Sequence, residues 1–295
     1  MKRIVSFLSL IIVVMTAGVT VRAQSVVDSD DEHNFNNFYE KTLRREKRAM
    51  PYAFLRQSDV VWETCIWRTI DFRERFNQFF FFPTDPNRET QGRVNLVNCI
   101  MKALENGDIE VFEDDEMKIP KEFASLSKEL HKEQHIDVSI RDEWDEVIDV
   151  KDSVIYVDFD AADVLSVRLK EFWYIDKQDT RQKVRIVGLS LIRNSCRDRA
   201  DGRECTSYSM FWVPMNDMRV RNVLVKAAAY DENNNVAERS YDDIFISRYF
   251  DSFVTRETNR FNRSVQDYLT GTDAILESQQ IEDRIFDIES DMWEY

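Results

Sequence analysis

Glycine and proline are scarce in this chain: six glycines and five prolines in 295 residues. So few glycines leave little room for glycine-rich phosphate cradles, and neither G-x-G-x-x-G nor G-x-x-x-x-G-K-[ST] occurs. Histidine is scarcer still, at three residues, which starves most general-base and metal chemistry. Positive charge is in deficit, with a formal net charge of −15. A surface of that sign disfavours unassisted contact with nucleic-acid phosphates and adsorption to anionic headgroups. Beyond the first 21 residues no apolar run reaches the roughly 20 residues that a membrane-spanning helix needs, so direct membrane insertion of the mature chain is not expected. Apolar residues are not lacking. They make up 43% of the chain and aromatics 12%, enough to fill a core.

The opening segment, MKRIVSFLSLIIVVMTAGVTVRAQS, combines a basic start (Lys2, Arg3), an apolar stretch from Ile4 to Met15, and Val21-Arg22-Ala23. This is the pattern of a secretory signal peptide, residues 1–23, cleaved after Ala23. The alternative is an uncleaved anchor, since Ile4 to Val21 spans 18 residues. The first cysteine is Cys65, so no lipid-acceptor cysteine follows the segment. Four cysteines in an exported chain permit disulfides. Cys196 and Cys205 flank RDRADGRE, in which Asp201-Gly202 can turn a hairpin, and they form the candidate disulfide. Closing such a loop would stabilise by roughly 2.5–3 kcal/mol on the chain-entropy model. Cys65 and Cys99 either pair or stay as buried thiols.

Residues 24–50 read as a polar N-terminal arm with a basic run at 41–48. A helical region is expected over 51–112. Ser58 can cap a helix, Asp59 suits its first turn, and Trp62, Ile66, Ile70 and Arg73 share a stripe. On that helix Asp71 could pair with Arg75 or Arg68. After a loop at 83–92, VNLVNCIMKALENGD predicts a second helix closed by Gly107. Residues 113–152 are acidic with sparse apolar positions, and read as a linker or insertion, partly helical around 121–133. Residues 153–295 read as sheet plus helices. Alternating segments SVIYVDF, DVLSVRLKEFWYI, KVRIVGLSLI, TSYSMFWVPM and NVLVKAAAY predict strands, with a turn at Asn233-Asn234-Asn235. Helices return after Ser240 and run through YDDIFISRYFDSFV to the end. The class is α+β: an N-terminal helical segment, an antiparallel sheet in the second half, and C-terminal helices.

Little catalytic chemistry emerges. His131 and His135 are spaced i,i+4 and could share a metal on a helix, but no third ligand is specified and solvated histidines are the plainer reading. Gly188-Leu189-Ser190-Leu191 begins like a nucleophile elbow, but Ile192 replaces the second glycine and the segment reads as a strand. The expectation is a non-enzyme with no catalytic residue, metal or cofactor. The aromatic residues remain, among them Phe79, Phe80, Phe81 and Phe82 in NQFFFFP. As a strand, Phe79 and Phe81 would face one way and Phe80 and Phe82 the other, so both sides need cover.

SDVVWETCIWRTIDFRERFN resembles the signature of the GldN/PorN family at Asp59, Trp62, Trp67, Arg68, Ile70, Asp71, Arg73 and Glu74. LKEFWYIDKQ, VRIVGLSLI, the Phe211-Trp212 pair, YDDIFISRYF and the tail from Asn262 are similar to the family as well, so the likeness covers roughly 38–112 and 164–295. The resemblance implies a periplasmic structural component of the type IX secretion system of Bacteroidota, which in many members also supports gliding. It implies self-association in a ring held to the inner face of the outer membrane by a lipoprotein of the GldK/PorK type. It also implies contact with the periplasmic part of the GldM/PorM core. The residues put forward for partner contact are Trp62, Trp67, Arg68, Asp71, Arg73 and Phe79 to Phe82. The alternative is a periplasmic binding module for a cargo protein or small ligand.

Overall fold

The computed structural model describes residues 47–84, 93–130, 132–141, 147–157, 159–179, 181–199, 202–230 and 239–293. The signal peptide, nearly all of the basic arm, most of the 83–92 loop, His131 and the Asn233–Asn235 turn lie outside the described residues.

β1, Val60–Asp71, corrects the helix expected there. Its residues Val60, Val61, Thr64, Ile66, Thr69 and Ile70 are β-branched, and Trp62 and Trp67 are aromatic, the types that fit a pleated surface. β1 pairs antiparallel with β6 (Val164–Asp176) on one side and β9 (Phe253–Glu257) on the other. β6 pairs with β7 (Gln182–Arg199), and β7 with β8 (Gly202–Pro214). Two short strands, β2 (Val111–Phe112) and β3 (Pro120–Lys121), finish a seven-stranded antiparallel sheet in the order β3-β2-β8-β7-β6-β1-β9. The acidic segment is not mere linker. It carries β3, a helix, and a separate two-stranded sheet of β4 (Lys132–Arg141) and β5 (Val147–Val157). His135 therefore sits on a strand, not on a helix shared with His131.

Six helices complete the described fold: α1 (Gln78–Phe81), α2 (Leu96–Glu105), α3 (Phe123–Leu130), α4 (Met218–Lys226), α5 (Tyr241–Ser247) and α6 (Thr272–Trp293). With the sheet they make an α+β fold. α2 forms as its sequence predicts. Asn95 caps it by accepting from the Asn98 N–H at 2.7 Å, and Gly107 ends it at φ +75°, a value that costs glycine least. α5 opens with a reciprocal Ser240/Asp243 box and ends at Arg248 in the left-handed region. α4 corrects the strand expected at NVLVKAAAY. Asp217 accepts from the Arg219 N–H at 2.9 Å and starts a helix, and only Ala228 beyond it bridges to Ser240 as extended chain.

The helices lie on one face of the sheet. There Val167, Leu169, Leu189, Leu191, Phe211 and Val213 pack with α2, α4 and α5, and Ile66 and Val254 pack with Ile281 and Ile285 of α6. Charges buried in this layer are matched. Arg221 and Asp242, exposed by 0% and 3%, join through two bonds of 2.9 Å. Glu171 accepts from Arg248 at 2.8 Å and from the Trp173 indole at 3.1 Å.

Candidate functional site

Strand geometry divides the expected contact residues between two faces. Trp62 and Arg68 point to the helix side and Trp67 to the other, because neighbours of opposite parity face opposite ways. Trp62 packs with the α6 cluster. Arg68 is buried; it donates to Ser252 Oγ at 3.0 Å and pairs with Glu282 of α6. Asp71 pairs with neither Arg75 nor Arg68. Arg73 grips it through Nε at 2.9 and 3.1 Å, and this bonding holds the Asp71 carboxyl below its ordinary range. The Arg73 side chain is largely exposed.

Phe79, Phe80 and Phe81 lie in a helical turn, α1, rather than a strand, and Phe82 follows it in extended backbone. A 3.6-residue period splits them unevenly: Phe80 is fully buried, Phe79 and Phe81 are half-buried, and Phe82 is 41% exposed. Phe80 stacks between Phe72 at 5.6 Å, Tyr241 at 5.9 Å and Phe245 at 5.6 Å. Asn77, fully buried, fixes the turn by donating to the carbonyls of Asp71 and Asp251 and accepting from the Asp251 N–H. Outside the turn a cavity of about 710 Å³ is lined by Arg75, Phe76, Phe79, Phe82, Arg239 and Tyr249. The Tyr249 ring lies 4.8 Å from Phe76 and 4.1 Å from the Arg239 guanidinium.

The second face of the sheet carries a different set. Trp67 has the Arg256 guanidinium at 4.1 Å and the Lys170 ammonium at 5.4 Å. Cys65, Trp212, Phe112, Met117 and Phe172 surround it. The acidic turn 113–116 reaches this face: Lys170 donates to the Asp115 carbonyl at 2.7 Å. Gly188 makes room, since a Cβ there would stand 2.3 Å from the Met117 methyl and 3.2 Å from the Trp212 ring. Four buried polar atoms on this face have no partner among the described residues: Trp67 Nε1, Thr69 Oγ1, Arg168 Nε and Arg256 Nε. Burial, and after it the neighbouring Arg256, push the Arg168 pKa down. The sequence reading missed this cluster. Its signal was present in VRLKEF, where strand alternation puts Arg168, Lys170 and Phe172 on one side.

The Cys196 and Cys205 backbones stand directly opposite each other in the β7–β8 register, while their side chains lie outside the described residues. Cys65 and Cys99 are buried free thiols. Among the described residues no group of three or more His, Cys, Asp or Glu is placed to hold a metal ion, and no helix is long and apolar enough to cross a membrane.

A search of characterised families gives a match over residues 55–294 to the one described as "Gliding motility associated protein GldN". That span runs from just before β1 to the end of α6 and takes in the acidic segment 113–152, which the motif-by-motif resemblance had left out. No curated protein matches the chain.

Proposed function

The chain belongs to the GldN family and so to the gliding motility and type IX secretion machinery, and we propose that within it the protein is a non-enzymatic periplasmic scaffold. In this reading residues 1–23 direct export, and the mature chain self-associates in a ring. A lipoprotein of the GldK/PorK type tethers the ring to the inner face of the outer membrane, and the periplasmic part of the GldM/PorM core contacts it. The observation that carries the reading is the match over 55–294, which spans nearly every described element. The exposed aromatic rim of the 710 Å³ cavity adds support, since Tyr, Phe and Arg concentrate binding energy at protein interfaces.

The deciding experiment is native co-purification of the mature protein with the candidate lipoprotein, followed by particle imaging. Rings holding both proteins are expected. A monodisperse monomer in the presence of the lipoprotein refutes the scaffold reading. The cavity also supports a second reading, a binding module for exported cargo. A monomer that retains cargo in the same purification would favour it.

A further inference from the structure

We propose that the cavity beside α1 is a docking site for an aromatic side chain flanked by carboxylates on a segment of a partner protein. It gives the scaffold reading the chemistry of one contact. That the occupant is a protein segment rests on that reading; the geometry of the cavity does not.

The wall is built from rings. Phe76 lies 4.8 Å from Tyr249 and 6.4 Å from Phe79, and Phe79 lies 6.1 Å from Tyr249, so the three make one continuous apolar surface. Phe76, Phe82 and Tyr249 are 46%, 41% and 43% exposed, so a group from outside can reach them. Their backbones are held in place. Buried Asn77 fixes the turn between Phe76 and Phe79. Tyr249 follows the left-handed Arg248 that ends α5, and its N–H donates to the Ile244 carbonyl at 3.0 Å. Aromatic side chains give large contact area at a low entropy cost, and rings on a fixed backbone lose least when covered. A volume of about 710 Å³ falls within the roughly 300–1,000 Å³ of ligand pockets, so it takes a ring together with its neighbours.

The rim is cationic and its charge is unspent. Arg75 and Arg239 line the cavity and are exposed, and no carboxylate is among the described lining residues. Neither guanidinium makes an ion pair or donates a hydrogen bond among the described residues. By contrast Arg68, Arg193, Arg221 and Arg248 all have carboxylates of their own. Arg239 is positioned as well. Its guanidinium carbon lies 4.1 Å from the Tyr249 ring centre, and its carbonyl accepts from the Ala229 N–H at 3.0 Å. A guanidinium resting on a ring keeps its N–H fork for a carboxylate, which it binds at two points. Charge complementarity therefore selects an acidic occupant, and the rings select an aromatic one. A basic segment would meet two like charges. In a chain of net charge −15 an acidic segment is repelled from much of the remaining surface and steered here.

The test uses the full mature chain and a fluorescently labelled Asp-Phe-Asp-Phe-Asp peptide, read by anisotropy at low salt. The competitors are the same peptide with alanine for phenylalanine, the same peptide with asparagine for aspartate, and phenylacetate. The labelled peptide should bind. Arg75→Gln, Arg239→Gln and Phe82→Ala should each weaken it about tenfold. Arg181→Gln, at an exposed cation between β6 and β7, should not. The alanine and asparagine peptides should each compete at least tenfold less well than the unlabelled parent. Absent binding, equal competition by either altered peptide, or unchanged binding in Arg75→Gln or Phe82→Ala overturns the proposal. The competitor series uses the unaltered protein, so it decides the question whether or not a variant folds. Full competition by phenylacetate at the peptide's own concentration would give the cavity to a small carboxylate and overturn the proposal. A sedimenting dimer that Phe82→Ala dissolves would give it to a second copy and do the same. Rings that assemble from a protein unable to bind the peptide would strike the site and leave the scaffold. Peptide binding that survives in a protein unable to form rings would retire the scaffold and leave the site standing.

Discussion

The Arg221–Asp242 pair offers the sharpest test of how the helical layer is held. Both side chains are buried, at 0% and 3% exposure, and they meet through two parallel 2.9 Å bonds. Arg221 also donates to the Met50 carbonyl at 2.5 Å and lies 4.3 Å from the Tyr52 ring, so it ties α4, α5 and the segment before β1 together. Asp242→Ala would strand a guanidinium that water cannot reach. Removing one partner of such a pair costs about 3–5 kcal/mol. With a urea slope of about 3 kcal/mol/M, the midpoint should fall by about 1–1.7 M. Replacing both residues, as Arg221→Met with Asp242→Leu, removes the stranded charge and should recover most of the loss. Equilibrium urea unfolding followed by far-ultraviolet circular dichroism measures all three proteins. A shift below about 0.3 M for Asp242→Ala, or a double variant as weak as the single, would refute the argument.

The phenylalanine run and the cysteines give two more tests. Phe80→Ala should cost about 3–5 kcal/mol, because Phe80 is fully buried among three rings, whereas Phe82→Ala should cost under about 1 kcal/mol. Equal losses in chemical denaturation would contradict the uneven burial that a helical turn imposes. Burial pushes the Cys65 thiol up to about 11 and the Cys99 thiol up to about 12, so neither should alkylate in the native protein at pH 8. In denaturant, protein from an oxidising compartment should show two reactive thiols before reduction and four after it. Four before reduction would exclude the Cys196–Cys205 bridge that the register permits.

Several elements were legible because local chemistry decided them. The Asn95 cap, Gly107 and the Ser240/Asp243 box mark helix ends that tertiary contacts do not move. The strands β6, β7 and β8 announced themselves by alternation, and the acidic segment's helix formed near its expected place, at Phe123–Leu130. β1 was misread because Trp62, Ile66 and Ile70 repeat every four residues. That spacing falls on one side of a helix and equally on one side of a strand. The β-branched residues between them were the better guide. NVLVKAAAY failed in the opposite direction: its valines suggested a strand, but the Asp217 cap upstream had already begun a helix. Trp62, Trp67 and Arg68 were placed on an expected helix, and the strand that forms instead divides them between two faces. Arg68 and Phe80 are buried, Trp62 packs half-buried on α6, and Trp67 joins partners that only strand pairing could supply.

The two faces of the sheet differ in how their charges are met. On the helix side the chain invests in closure: Glu171 has Arg248 and Trp173, Arg68 has Glu282 and Ser252, and Arg221 has Asp242. A domain whose whole stability is about 5–15 kcal/mol cannot leave many buried charges unmatched. On the other side Arg168 makes no ion pair among the described residues; burial and Arg256 lower its pKa while Asp115 acts to raise it. The same chain that matched three buried charges across α4, α5 and α6 had more acidic than basic residues to draw on, at 55 Asp and Glu against 40 Lys and Arg. A shortage of carboxylates therefore does not explain the missing ion pair. Partial hydration does explain it: Arg168 is only half-buried and needs no matched carboxylate, so Arg168→Gln should shift the urea midpoint far less than Asp242→Ala.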